Sequence, residues 1–393
     1  MASGKGDGVL LRLQPVVGQK HMSMLQTKAV SSVDELNAFL SKQWGYGRNL
    51  VVGWSLMRVG LRLLMAPRSR IFQVAAEDPR IVRGERLMSQ DELMRRARQL
   101  NVETISLSVT KQFGEGPGRI SFSAVEVLMR RYSILETEHR GVLLFDITGF
   151  GRLPPLGQVA QLSYLDHAIN VAQRVVSDAQ IYVEVNRSTT GDGFYCWNRR
   201  EGFDSDANLF AFKAVTLALL NYMRQRETKS YIPTTKTCAS IGSHYTYFSV
   251  ERLNPRGSNY IVGDVTIELA RLMEAADPNQ ILIGNFVRPT PAGEIFTPKD
   301  FAGIVNEKMR AFCGRRLFGA KLREVKFYLT GRQVDRTYMV DRFTIEDKHG
   351  YKHVAFNAKI NFHFDDGTSV YLGLPTAEAR QDRAFDEVPM SEI

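Results

Sequence analysis

The sequence predicts an α+β protein, and three observations support this fold class. Residues 141–146 form a short apolar run bounded by glycine, which is typical of a buried strand. Residues 159–177 and 207–224 have the period and the length of helices. The turn at residues 191–193 separates two strand-like runs and predicts a β-hairpin. Because a hairpin makes part of a sheet antiparallel, we expect a mixed sheet with helices packed on it.

The last third of the chain predicts a β-meander. Residues 338–345 and 353–364 alternate polar and apolar side chains, and residues 369–374 continue the pattern after a tight turn. Together with the helices and strands predicted in the rest of the chain, this pattern predicts four segments. They are a partly helical N-terminal region (1–136), a central domain (137–295), a β-rich domain (296–380) and a polar tail (381–393).

Three helices are predicted in the N-terminal part of the chain, and one of them starts at Ser89 and continues into ELMRRARQL. Residues 54–65 place apolar side chains on one helical face, and residues 121–139 are interpreted as a further helix. The most apolar stretch, residues 49–67, carries Arg58 and Arg62. A membrane-spanning helix of about 20 apolar residues is therefore not expected here, and we interpret the stretch as a buried or interfacial helix.

The composition narrows the functional classes. The formal net charge is +9, which would suit a polyanion such as a nucleotide or a nucleic acid. The basic residues are dispersed among acidic ones, without a basic stripe interleaved with aromatics, so a nucleic-acid-binding protein is not expected. The three cysteines lie far apart, so neither a disulfide framework nor a structural zinc site is indicated. With a poor signal-peptide pattern at the N-terminus, this indicates a cytoplasmic protein.

Two aspartates stand where strands end in glycine-rich turns. Asp146 closes the apolar run 141–146, and Asp192 lies inside the hairpin turn. A carboxylate at the end of a buried strand needs a cation or hydrogen-bond donors, and neighbouring glycines let backbone N–H groups turn toward a phosphate. Two such carboxylates can hold two magnesium ions. Taken singly, each aspartate also fits an ordinary turn or a helix cap.

Three segments in order carry a resemblance to a known family. They are LLFDITGFGRL, TTGDGFY and YIVGDVTIELARLMEAADPNQILIG. Over about residues 137–290 the chain resembles the catalytic domain of class III adenylate and guanylate cyclases. The resemblance implies a palm-like mixed sheet flanked by helices, a nucleoside triphosphate substrate and two divalent metal ions, Mg²⁺ or Mn²⁺. It also implies a head-to-tail homodimer with composite active sites.

The resemblance assigns roles to individual residues. Asp146 and Asp192 match the two metal-binding aspartates, and the carbonyl of Ile147 matches a further metal contact. The amides of the next three residues match the loop that meets the metal and the phosphates: Thr148, Gly149 and Phe150.

Arg271 matches the helix arginine that stabilises the pentavalent phosphorus, and in this family it comes from the partner protomer. Ring closure loads charge onto the α-phosphate and the leaving pyrophosphate, and a guanidinium can pair with two oxygens. Considered alone, Arg271 could equally be a surface arginine paired with Glu268 or Glu274.

Three positions depart from the family pattern. Ile267 occupies the place of the usual ribose-binding asparagine. Ser188 replaces the lysine or glutamate that reads the base, and Tyr260 replaces the aspartate typical of adenylate cyclases. Neither adenine nor guanine would find its usual hydrogen-bond partner at these two positions. A tyrosine also fills more space than an aspartate, which favours a smaller base. We therefore infer a pyrimidine triphosphate as the substrate.

With its C-terminal meander, the chain resembles the pyrimidine cyclases of the bacterial Pycsar anti-phage system. That resemblance implies conversion of UTP to cyclic UMP and pyrophosphate, and a separately encoded effector that responds to the cyclic nucleotide. UTP is favoured over CTP by this analogy alone. The alternatives are a cytidylate cyclase, a purine cyclase with divergent base-reading residues, and an inactive nucleotide-binding sensor.

Overall fold

The structure, a computed structural model, describes residues 29–114, 116, 118–226, 231–249, 258–290, 292–331, 333–334, 337–338 and 340–374. Internal contacts divide the chain into two compact units. One comprises residues 1–74 and 85–129, and the other comprises residues 75–84 and 130–393.

A small sheet forms the centre of the first unit. Its strand order is β1-β4-β3-β2, with β1 parallel to β4. The strands are β1 (Ala29–Val30), β2 (Asn49–Met57), β3 (Gly60–Pro67) and β4 (Ile105–Val109). The helices in this part of the chain are α1 (Val33–Trp44), α2 (Arg68–Glu77), α3 (Gln90–Leu100) and α4 (Phe122–Arg131).

The helix predicted over residues 54–65 is wrong, because these residues form an antiparallel hairpin. Trp54 on β2 pairs with Leu63 on β3. Both faces of the hairpin are largely buried, so nearly every position is apolar and the period-2 alternation of a strand is hidden. Gly60 has φ +107° and lies against the Leu107 carbonyl, where a Cβ would collide. A glycine is required at this turn.

The helix predicted over residues 121–139 is also wrong in its second half. Helix α4 ends at Arg131, and strand β5 (Ile134–Ile147) begins three residues later. From there the side chains alternate as in a strand: Leu135 and Thr137 are buried, whereas Glu138 is exposed.

A large mixed sheet organises the second unit. After β5, its strands are β6 (Val185–Thr189), β7 (Gly193–Asn198), β8 (Thr235–Ser249), β9 (Ser258–Val262), β10 (Ile281–Gly284), β13 (Arg316–Leu317), β14 (Ala320–Leu329), β17 (Arg342–Glu346), β18 (Lys352–Phe364) and β19 (Ser369–Leu372). The main path across the sheet is β13-β14-β18-β10-β8-β5-β7-β6, with β9 paired to β8 and with β17 and β19 paired to β18. The pairing of β8 with β10 is parallel and that of β8 with β5 is antiparallel. Two short ladders complete the strands: β11 (Arg288–Pro289) with β12 (Ile295–Phe296), and β15 (Gln333–Val334) with β16 (Thr337–Tyr338).

Helices cover both faces of this sheet. They are α5 (Pro155–Asp178), α6 (Phe203–Arg226), α7 (Asp264–Ala275) and α8 (Pro298–Met309). Along β5, Leu143 and Phe145 belong to the core under α5 and α6, whereas Val142 and Leu144 belong to the core under α7. By this alternation Asp146 lies on the α7 face. The predicted α+β fold, a mixed sheet flanked by helices, is confirmed.

The predicted C-terminal meander is present as β17, β18 and β19. Strand β18 lies beyond the predicted domain limit at residue 296 and pairs with β10, which lies before it. The sheet therefore continues across this limit, and the domain boundaries themselves stay predictions. No helix in the described part of the chain is long and apolar enough to cross a lipid bilayer.

Candidate active site

The two predicted metal-binding aspartates lie side by side. Asp146 stands next to the end of β5 and pairs with Gly193 of β7, while Asp192 is in the turn before β7. The N–H of Ile147 donates to the Asp192 carbonyl at 3.0 Å. A Cβ at Gly193 would collide with the Phe145 carbonyl oxygen, so the glycine allows the two strands to approach at this point.

The electrostatics of this pair favour a bound cation. Burial raises the pKa of Asp146 to about 6, and the neighbouring Asp192 carboxylate adds to the rise. Lys236 lies opposite Asp146 on the paired strand β8, and its charge lowers the pKa of Asp146. Two adjacent carboxylates repel each other when both are ionised, and a divalent cation between them would remove this cost.

The donor set fits magnesium or manganese. Among the described residues there is no cluster of three or more His, Cys, Asp or Glu side chains that could enclose a metal ion. Mg²⁺ commonly uses one or two carboxylates and completes its shell with water and substrate phosphates. Asp146 and Asp192, with the adjacent carbonyl of Ile147, match that type of site.

The loop after β5 is shaped by one glycine and by the chain beside it. Gly149 adopts the left-handed conformation with φ +72°, and Phe150 opens a single 3₁₀ turn that leads to α5. The N–H of Thr148 donates to the Thr234 carbonyl at 2.9 Å, so this predicted phosphate-binding amide already has a partner. The Thr148 hydroxyl is buried without a hydrogen-bond partner in the described part of the chain. A buried hydroxyl of this kind needs a partner such as a bound ligand or water.

Arg271 on α7 forms two ion pairs within its own chain. Its Nη1 lies 3.2 Å from Glu274, and its Nε lies 3.2 Å from Asp347, which comes from the turn after β17. Asp347 also accepts the N–H groups of His349 and Tyr351. The surface pairing with Glu274 that the sequence left open is present, and Asp347 adds a partner from the C-terminal meander.

The predicted base-reading residues lie on two neighbouring strands. Ser188 is on β6, opposite Tyr195. Tyr260 is on β9, where its ring stacks on Tyr247 at 5.2 Å. Strands β6 and β9 lie close to each other. Ile267, at the position of the usual ribose ligand, points outward from the first turns of α7 and is 56% exposed.

Two residues near this region were missed by the sequence analysis. Lys236 is the one charged residue in the run TTKTCAS, and only the pairing of β8 with β5 places it beside Asp146. Asp347 lies in a tight turn, where an aspartate is common, and it meets Arg271 only through the tertiary fold.

Glu268 gives a pH-dependent stability prediction for the helix that carries Arg271. Burial raises the pKa of Glu268 to about 7, although the Ser240 hydroxyl donates to it. The folded state therefore holds this proton more tightly than the unfolded state. The resulting stability is present below the unfolded pKa and is lost as the pH rises through 7.

We expect Glu268→Gln to stabilise the protein by roughly 1–3 kcal/mol at about pH 8 and to have little effect at about pH 4. Urea unfolding at both pH values measures the difference. Glu307→Gln, an exposed glutamate on α8, is the matched control and should change stability little at either pH. An equal effect of Glu268→Gln at both pH values would contradict this interpretation.

Known protein families and curated proteins show no match to this chain. Among solved structures, the chain is similar to the catalytic core of a rhodopsin-guanylyl cyclase with converted specificity in complex with ATPαS, at 13% identity and a TM-score of 0.36, covering 57% of this chain and 97% of that one. It is similar to the guanylate cyclase domain of RhGC from Catenaria anguillulae in complex with GTP, at 12% identity and a TM-score of 0.35, covering 57% and 97%. It is also similar to the adenylyl cyclase CyaB from P. aeruginosa, at 10% identity and a TM-score of 0.34, covering 57% and 95%.

Proposed function

We propose that this chain is a class III nucleotide cyclase that converts a nucleoside triphosphate to a cyclic monophosphate and pyrophosphate. The observation that carries the proposal is the pair Asp146 and Asp192, brought together at the end of β5 beside a glycine-containing loop. The two aspartates come from separate segments of the sequence. Their meeting in one place is what a two-metal site requires.

Each residue has a defined task in this mechanism. Asp146, Asp192 and the Ile147 carbonyl would hold the two divalent ions, which when bound would lower the pKa of the substrate's 3′-hydroxyl and neutralise phosphate charge. The Gly149 and Phe150 amides and the Thr148 hydroxyl orient the phosphates. Arg271 of the second protomer stabilises the charge that develops on the α-phosphate and the leaving pyrophosphate.

We propose UTP as the substrate, with CTP as the alternative. Ser188 and Tyr260 are neutral, and each can hydrogen-bond a pyrimidine carbonyl or amine. In this proposal the cyclic UMP is a second messenger of anti-phage defence that acts on a separately encoded effector. A purine cyclase and an inactive nucleotide-binding sensor are the remaining alternatives.

An exposed apolar patch supports a homodimer. It lies on the β8–β9 arm and the start of α7, and its side chains are between 38% and 56% exposed. Its members are Tyr245, Tyr247, Tyr260, Val262 and Ile267. A contiguous surface of this kind is a frequent protein interface, and a second copy covering it would place the base-reading Tyr260 at the composite site.

The direct test is incubation of the purified chain with UTP and Mn²⁺. The expected products are cyclic UMP and pyrophosphate in equal amounts, identified by mass and by a pyrophosphate assay. Hydrolysis to UMP or UDP in place of ring closure would contradict the proposal, as would the absence of turnover with all four triphosphates.

Tyr260→Ala is expected to lower turnover of the pyrimidine substrate and to weaken its preference over purines. The lost discrimination should be about 1–3 kcal/mol, the cost of one buried polar contact. Competition between UTP, CTP, ATP and GTP measures it under matched metal conditions. Tyr182→Ala removes a similarly exposed tyrosine outside the patch and should leave the ratio unchanged. If Tyr260→Ala left the preference for pyrimidines over purines unchanged, Tyr260 would not be part of the base pocket.

A further inference from the structure

A cavity lies on the face of the sheet opposite Asp146. It has a volume of about 270 Å³ and is bounded by α6, the start of β8, the start of β10 and the end of β19. Thr235 and Thr237 of β8 line it. They lie opposite Ile147 and Phe145 of the paired strand β5, whose side chains belong to the core under α5 and α6. The cavity is therefore separate from the candidate active site.

The guanidinium of Arg224 lies at this cavity and has no acidic partner among the described residues. The Nη2 of Arg224 donates to the Pro233 carbonyl at 2.6 Å, which fixes the guanidinium, while its Nε is buried without a hydrogen-bond partner in the described part of the chain. Among the described residues no carboxylate acts on Arg224, and burial alone lowers its pKa. A fixed, partly buried cation without a counter-charge is costly, and a bound anion would offset the cost.

The second unpaired polar group is the hydroxyl of Thr237. The residue is fully buried, and its Oγ1 has no hydrogen-bond partner among the described residues. Such a buried hydroxyl loses free energy unless a ligand or a water satisfies it. Asn221 and Asn279 also line the cavity and add donor and acceptor groups.

Four aliphatic side chains form part of the remaining wall. Leu217 and Leu220 from α6 face Ile281 and Leu372 from the sheet. A cavity that joins one fixed cation and a buried hydroxyl to an aliphatic wall matches a ligand with an acidic head and an apolar body. Inorganic phosphate would satisfy the polar end and leave the aliphatic wall uncovered.

We propose that this cavity binds a small organic anion, a phosphate ester or a carboxylate with a short apolar chain. The Arg224 guanidinium pairs with the acidic group, the Thr237 hydroxyl donates to it, and the apolar chain lies against Leu217, Leu220 and Leu372. The ligand would contact β8 directly behind the residue pair formed by Asp146 and Lys236. The site is distinct from the nucleotide site and does not depend on cyclase activity.

Calorimetric titration of the full chain with a short series of probes tests this proposal. The probes are butyl phosphate, hexyl phosphate and hexanoate, with inorganic phosphate and hexanol as the head-only and chain-only controls. We expect at least one amphiphilic anion to bind at least tenfold more tightly than either control. Whether a phosphate ester or the carboxylate binds better identifies the head group.

Matched variants locate the binding site. Arg224→Met should weaken binding of the best probe roughly 10- to 100-fold, as expected for a charged hydrogen bond. Thr237→Val keeps the shape of the side chain and should weaken binding several-fold, which covers the case that Arg224→Met does not fold. Arg226→Met removes an exposed arginine of the same helix, stacked on Tyr222, and should have no effect. The proposal is overturned if no probe binds more tightly than both controls, or if Arg224→Met and Thr237→Val both bind like the wild type.

Discussion

Asp146→Ala and Asp192→Ala are each expected to reduce formation of cyclic product about a thousandfold or more. Each change removes a carboxylate from the proposed two-metal site, and the phosphoryl charge would then lack several kcal/mol of stabilisation in the transition state. Product formed from UTP and Mn²⁺ at saturating substrate measures the effect. The loss should appear in kcat and should not be restored by more substrate.

Folding should survive these substitutions. Burial and the neighbouring Asp192 carboxylate both raise the pKa of Asp146, so the two side chains destabilise each other in the absence of metal. Either alanine variant should therefore melt no lower than the wild type when no metal is present. Asp204→Ala, an exposed aspartate paired with Lys308, is the control for loss of a surface carboxylate and should keep full activity. Near-normal turnover in Asp146→Ala or Asp192→Ala would rule out the two-metal assignment.

A mixture of Asp146→Ala and Arg271→Ala chains is expected to recover activity that neither variant has alone. If Arg271 acts across a dimer interface, a heterodimer contains one intact site and one site with both defects. Random exchange in an equal mixture makes half of the dimers heterodimers, so the recovered activity should be about a quarter of the wild-type value. Differently tagged chains and native mass spectrometry verify the exchange.

The matched negative control is a mixture of Asp146→Ala and Asp192→Ala chains. Both aspartates lie on the same protomer's site, so no combination of these chains rebuilds an intact one. Recovery in this control would show that the two carboxylates act in different sites. Absence of recovery with Arg271→Ala, after exchange is demonstrated, would place Arg271 outside the partner's site. Its ion pair with Asp347 would then be its main role.

The parts of this molecule that could be predicted from sequence are those with local signals. The hairpin that carries Asp192 and the glycine-bounded strand that carries Asp146 are both punctuated by turn residues, and both are present. The hairpin over residues 49–67 has apolar side chains on both faces, and neither a helical nor a strand period can be identified in such a run.

Tertiary neighbours could not be predicted in the same way. The approach of Lys236 to Asp146 depends on the register of β8 against β5. The ion pair of Arg271 with Asp347 joins a helix to a turn far along the chain, and no spacing rule connects them. The cavity at Arg224 is built from α6, β8, β10 and β19. That this guanidinium lacks an acidic partner among the described residues can be seen only once these elements have packed.

The most direct test of the central claim is the product formed when the wild-type chain acts on an equimolar mixture of UTP, CTP, ATP and GTP with Mn²⁺. Chromatography with mass detection identifies each cyclic nucleotide in one reaction, and Asp146→Ala serves as the blank. The proposed function predicts cyclic UMP as the main product, with pyrophosphate released in equal amount. Cyclic AMP or cyclic GMP as the main product would contradict the pyrimidine assignment, and the absence of any cyclic nucleotide would contradict the cyclase itself.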